Sequence, residues 1–195
     1  MISRMFLILS FFISSIYAQN VDEVINQVQK KYKAIQTLSA KYLLTHQGES
    51  GKFFLKKENK YRIELTNSIL ILNDESVWNY TKSLNRVIIS RSEDSPELFS
   101  FDKFITEYPK ISTTSIVKKE KEHTVIRLIP KSDELEFKSA DVWINSENVV
   151  YKLSMKDHSN HTLTVELIDI KLNENLADSL FEFSQKKGCK VIDLR

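Results

Sequence analysis

The sequence predicts a mainly β (α+β) fold: an antiparallel meander of about eleven short strands, closed or nearly closed into a barrel and accompanied by a few helices. Three observations carry this expectation. Apolar residues alternate with a period of two over most of the chain, and polar turn signals separate the runs. Helical spacing is confined to the N-terminal stretch, one aromatic insert and a short stretch near the end.

Residues 1–18 read as an export leader. Arg4 gives a small positive start, Met5 to Ile16 an apolar run too short to span a bilayer, and Tyr17-Ala18 a cleavage site ahead of Gln19. No cysteine lies near the cut, so no lipid anchor is expected there. Residues 19–195 are long enough for one domain with a sizeable core.

Asn20 to Leu38 has the pattern of an amphipathic helix. Val21, Val24, Ile25, Val28, Tyr32 and Ile35 recur at steps of three and four, and Asn20 with Glu23 has capping-box spacing. Alternation then begins at Ser39 to Leu44. It continues through Lys52 to Lys56, Tyr61 to Leu65, Ile69 to Leu72, Val77 to Tyr80 and Arg86 to Ser90. In the second half it returns at Ser115 to Lys118, Thr124 to Ile129, Glu136 to Ile144, Val149 to Met155 and Thr162 to Ile170. The interruption between the halves starts as a helix should, at Ser95-Pro96-Glu97, and carries Leu98, Phe99, Phe101, Phe104, Ile105 and Tyr108 before Pro109. A short helix is expected around Leu176 to Leu180.

Composition excludes several functions. Lysine and arginine number 28 against 26 acids, a net charge of +2, which gives no electrostatic case for nucleic-acid binding. The single cysteine, Cys189, leaves no internal disulfide and is expected to be a buried filler. Of His46, His123, His158 and His161, the last two flank a turn and are read as solvated, since a zinc site needs three or four protein ligands. No nucleophile elbow, phosphate-binding glycine loop or paired-histidine motif is present, so neither an enzyme nor a cofactor is expected.

A half-open barrel of about eleven strands can hold a central helix or leave a groove covered by one. The apolar helix face and the aromatic insert are candidate covers. A cavity lined by Leu, Ile, Val, Phe and Trp suits hydrocarbon; the alternative is that helix and insert complete an ordinary core.

Several segments in order resemble the outer-membrane lipoprotein carrier proteins (LolA) of Gram-negative bacteria. They are the helix with Leu38-Ser39-Ala40-Lys41-Tyr42, then Gly51-Lys52-Phe53-Phe54-Leu55-Lys56-Lys57 and Tyr61-Arg62-Ile63-Glu64. Ile71 to Tyr80 with Trp78, Phe181-Glu182-Phe183, Gly188 and Val191-Ile192-Asp193 follow. The resemblance implies an unclosed eleven-stranded barrel, capped by helices that form a lid over an apolar cavity. It implies a monomeric periplasmic carrier, not an enzyme, that shelters the acyl chains of lipoproteins released from the inner membrane and delivers them to the outer membrane. The implied partners are acylated lipoproteins, an inner-membrane ATP-driven lipoprotein-releasing transporter and an outer-membrane receptor. A carrier or sensor of another lipid or glycolipid is the alternative. Expected lipid-lining residues are Tyr42, Leu44, Phe53, Leu55, Ile63, Leu65, Leu72 and Trp78 from strands, and Leu98, Phe101, Phe104 and Ile105 from the lid. Where the family has Arg-Pro after its second strand, this chain has Lys57-Glu58. Lys57 is therefore the expected lid latch, with a point charge in place of a planar fork.

Overall fold

A computed structural model describes residues 20–45, 48–57, 59–93 and 101–195, without the side chains of 101 and 102. The leader at 1–18, His46, Glu58, the helix start at Ser95 and Leu98 lie outside the described residues. The described chain runs α1 (Val21–Ala34), β1 (Thr37–Leu44), β2 (Glu49–Lys56), β3 (Lys60–Glu64), β4 (Ser68–Asn73), β5 (Ser76–Thr81) and β6 (Arg86–Arg91). It continues with α2 (Phe101–Thr106), β7 (Ser112–Lys119), β8 (His123–Pro130), β9 (Phe137–Asn145), β10 (Val150–Asp157) and β11 (Thr162–Leu172). A 3-10 turn (Asp178–Phe181) and β12 (Lys190–Asp193) complete it.

All twelve strands form one sheet in the order β12-β6-β5-β4-β3-β2-β1-β11-β10-β9-β8-β7, open between β12 and β7. This corrects the expected strand count of eleven. It also corrects the purely antiparallel pairing, because β12 runs parallel to β6 in the register Val191 to Val87. Four residues are too short a run to announce a strand, and β12 forms only by pairing with the edge of β6.

Local chemistry explains the element ends. Asn20 caps α1 by accepting the backbone N–H of Asp22 at 3.3 Å, and Asp22 and Glu23 sit favourably at its positive end. The helix stops at Ala34, four residues before the expected end, because Ile35 turns extended. Its neighbours are claimed by the far end of the chain: Gln36 N–H donates to the Asn173 side chain at 2.8 Å, and Asn173 N–H donates to the Thr37 carbonyl at 2.8 Å. With only three glycines, most left-handed turn positions fall to Asn and Asp, among them Asn59, Asp74, Asn85, Asn148 and Asn160, while Gly48 and Gly188 take two others.

The sheet is apolar on both faces. Its inner face carries the helices: Val24, Ile25 and Val28 of α1 and Phe104 and Ile105 of α2 join Leu38, Phe53, Leu55, Ile126, Val142, Leu153 and Leu167 in the main core. On the outer face of β3 to β6 lies the C-terminal segment. The 3-10 turn packs on β3 and β4, and Phe181 is wholly buried. Phe183 and Cys189 cover Tyr80, Val87 and Ile89. Cations on β2 and β3 clasp this segment. Lys56 donates to the Leu176 carbonyl and to Asp178 (both 3.0 Å), Lys60 to Asp178 (3.2 Å), and Arg62 to the Leu180 carbonyl (3.1 Å).

Two substitutions check this packing by chemical denaturation. Phe181→Ala should cost about 3–5 kcal/mol, the usual loss for a fully buried phenylalanine. Gly51→Ala should cost more than about 2 kcal/mol, since an added Cβ would overlap the Glu64 carbonyl of the neighbouring strand.

Candidate functional site

The candidate site is the inner face where the two helices meet the sheet. Strand register decides which side chains reach it. Leu38 stands opposite Leu55, Ala40 opposite Phe53, and Tyr42 opposite Gly51 on one side and Leu167 on the other. Phe53 stands opposite Ile63, Leu55 opposite Tyr61, and Tyr61 opposite Leu72. Tyr42, Leu44, Phe53, Leu55, Ile63 and Leu72 therefore share the inner face, with Leu44, Phe53, Leu55 and Leu72 buried. Phe104 and Ile105 meet the same core from α2. Leu65 follows β3 with the same alternation and is half-buried outside the core cluster. Phe101 opens α2, its side chain outside the described residues.

Trp78 is a correction. Leu72 pairs with Val77, so Trp78 emerges on the opposite face, beside Tyr80, Val87 and Ile89 under the C-terminal segment. The sequence reading also missed the second half of the floor. Ile126, Val142, Ile144 and Val150 lie under α1 and α2, facing Ile25 and Val28 of α1 and Phe104 and Ile105 of α2 across a narrow crevice. Their alternation was visible, but only the register of β8 to β10 assigns them to the helices' face.

α2 is seated by aromatic packing. Phe104 meets Tyr108 edge-on at 4.7 Å between ring centres and stacks on Phe137 at 5.4 Å. Gln29 of α1 donates to the Ile105 carbonyl at 3.0 Å, a polar tie between the helices. Tyr32 of α1 lies 3.4 Å from Tyr61, hydroxyl to hydroxyl, which extends the cover to β3. Lys57 Nζ donates to the Lys33 carbonyl in the last turn of α1, and Lys57 N–H donates to the Gln36 carbonyl at 2.9 Å. A cation at the negative end of a helix is well placed. Lys57 thus ties the end of β2 to α1.

The helices fit tightly. A crevice between α1, α2 and β8 to β10, and another beneath the last turn of α1, each offer about 10 Å³. That is at most the room one water molecule needs, roughly 10–15 Å³. An apolar ligand would reach the part of this face beneath α1 and α2 only by displacing a helix. A roomier hollow of about 460 Å³ lies on the outer face between the C-terminal segment and Arg62, Ile69, Ile71 and Tyr80. Among the described residues no group of three or more His, Cys, Asp or Glu side chains is placed to hold a metal ion. His158 bonds to the Leu135 carbonyl at 2.8 Å, and His161 lies 3.2 Å from Asp157 in an exposed turn.

Burial, reinforced by the Glu49 carboxylate, pushes the Tyr42 phenol up to about 12 from its ordinary 10.0. The folded state favours the neutral phenol, so its contribution to stability is complete below pH 10 and is lost as pH rises toward 12. In an ultraviolet titration, one late tyrosine step should appear near pH 12 and vanish in Tyr42→Phe.

A family model described as outer membrane lipoprotein carrier protein LolA matches residues 25–184. An outer-membrane lipoprotein carrier protein of Legionella pneumophila (strain Lens) is 26% identical over 207 residues, covering 97% of this chain and 98% of that protein. An uncharacterized conserved protein from Thermus thermophilus shares the fold with a TM-score of 0.63 at 12% identity, over 90% of this chain and 99% of its own. Mycobacterium tuberculosis lipoprotein LppX shares it with a TM-score of 0.51 at 12% identity, over 79% and 95%. The family match runs from α1 past the 3-10 turn and takes in every strand except β12, so the chain belongs to the outer membrane lipoprotein carrier protein family.

Proposed function

We propose that this protein is a periplasmic carrier that shelters the acyl chains of lipoproteins between its helices and the inner face of its sheet. The observation that carries this reading is the seat of α2: a six-residue helix held on an apolar floor mainly by side-chain packing, in a chain of the carrier family. Burying hydrocarbon yields about 0.8 kcal/mol per methylene. An acyl chain that displaces Phe104 and Ile105 exchanges one set of apolar contacts for another, so the net affinity stays modest. A shuttle needs that property, because cargo held too firmly is never passed on.

In this reading residues 1–18 direct export, a transporter in the inner membrane loads the carrier, and an outer-membrane acceptor takes the cargo. Tyr42, Leu44, Phe53, Leu55, Ile63, Leu72, Phe104 and Ile105 line the acyl site. Lys57 holds the end of α1, and Gln29 couples α1 to α2. No covalent step is involved.

Native mass spectrometry of the mature protein from its own periplasm tests the assignment. The expected bound species is an acylated polypeptide; a bound glycolipid or phospholipid would replace the cargo class, and an empty protein that ignores added lipopeptide would end the carrier reading. A second experiment addresses the gate. Removing the Gln29 tie costs the seated state about 1 kcal/mol, so Gln29→Leu should tighten binding of an acyl-chain fluorophore about fivefold. Lys57→Met should act in the same direction and Lys57→Arg should not. Unchanged affinity in both Gln29→Leu and Lys57→Met would remove these residues from the gate.

A further inference from the structure

Beyond the helices, on β4 to β6, the inner face changes character. Register sets Ser68, Thr81 and Arg86 side by side in one row, with Leu70, Asn79 and Ile88 in the next. Leu72, Val77 and Ser90 form the third row, and Leu72 leads on to Tyr61 and the main core. Leu70 and Ile88 are half-exposed, whereas Leu72 and Val77 are buried. Neighbouring side chains across strands are about 5 Å apart at Cβ, so the row from Ser68 to Arg86 spans about 10 Å.

Arg86 is the exceptional member. Its Nε is buried and, among the described residues, has no hydrogen-bond partner; no ion pair among them engages its guanidinium either. Among the described residues the other partly buried arginine is provided for: Arg62 pairs with Glu64 at 2.6 Å and donates to the Leu180 carbonyl. Even the exposed Arg127 is paired, with Asp141 at 2.6 and 2.7 Å. Leaving a buried donor unmet is unfavourable, because its hydration is lost without replacement. The surroundings are cationic as well. Lys190 is the register partner of Arg86 on β12, and Lys187 lies in the turn whose carbonyl accepts from Asn85 at 3.1 Å. Lys82, in the turn before Arg86, already donates to the Leu65 and Thr66 carbonyls.

We propose that Arg86, with the Thr81 and Ser68 hydroxyls, recognises the anionic headgroup of an amphiphile whose chain runs over Leu70 and Ile88 toward Leu72 and Val77. A planar guanidinium suits the paired oxygens of a phosphate or carboxylate. The inference rests on the acyl-carrier reading and narrows its ligand class: this end of the acyl surface selects for negative charge.

The test compares lysophosphatidylglycerol with the uncharged monoacylglycerol of the same chain length, both below their micelle concentrations, by titration calorimetry. The wild-type protein should bind the anionic probe about tenfold more tightly. That preference should shrink in high salt. Arg86→Gln should abolish the preference while leaving monoacylglycerol binding unchanged, and Arg86→Lys should keep part of it. Equal weakening of both probes in Arg86→Gln, or survival of the tenfold preference, would overturn the assignment. So would inorganic phosphate that saturates the site without competing with the lipid, since the anion recognised would then be free phosphate. If neither amphiphile binds the wild-type protein, the carrier reading itself falls before any variant is made.

Discussion

The architecture hangs on one strand. β1 pairs with β2 along one edge and with β11 along the other, and so joins a meander of β2 to β6 to a meander of β7 to β11. The second pairing brings Leu38 opposite Leu172, about 130 residues away in sequence. Loop closure on that scale is entropically unfavourable, and nothing local offsets it. The compensation is tertiary: Leu38, Ala40, Phe53 and Leu167 become one continuous floor on which α1 and α2 can sit. Side-chain bonds reinforce the seam, with the Thr37 hydroxyl donating to the Glu174 carbonyl at 2.6 Å and the Ser39 hydroxyl to the Glu174 carboxylate at 2.8 Å.

The two meanders then solve the burial problem differently. β7 to β10 use the helices as cover on the inner face. β3 to β6 carry an additional apolar face outside, which the C-terminal segment covers. The polar clasp by Lys56, Lys60 and Arg62 suits a strap that must be positioned as well as buried, because carbonyls and a carboxylate fix its register where apolar contact alone would let it slide. Lys56 and Lys60 together hold the Asp178 carboxyl below its ordinary range. Helices thus cover the inner face, and the clasped C-terminal segment covers the outer one.

Much of this was legible in the sequence because strand alternation and turn chemistry are local. The Asn and Asp turn positions separated the strands, and the aromatic insert announced a cover. What was lost was decided at a distance. α1 ends early because Asn173 captures Gln36 and Thr37, and β12 exists only because β6 offers an edge. Trp78 is an instructive error, since its face could have been worked out. With Asp74-Glu75 as a two-residue turn, Asn73 stands opposite Ser76 and Leu72 opposite Val77, so Leu72 and Trp78 cannot share a face. Arg86 gave no sign in the sequence, because an unpaired donor is a property of neighbours.

The C-terminal strap has a consequence for the order in which the molecule can be made. A chain that emerges N-terminus first presents β3 to β6 long before residues 174–195 exist. Until then Ile69, Ile71, Trp78 and Val87 form a bare apolar sheet surface, and β1 lacks its β11 neighbour. Both deficits are repaired only by the last portion of the polypeptide. The sheet can therefore be completed only once the last portion of the polypeptide is available to pair with β1 and β6.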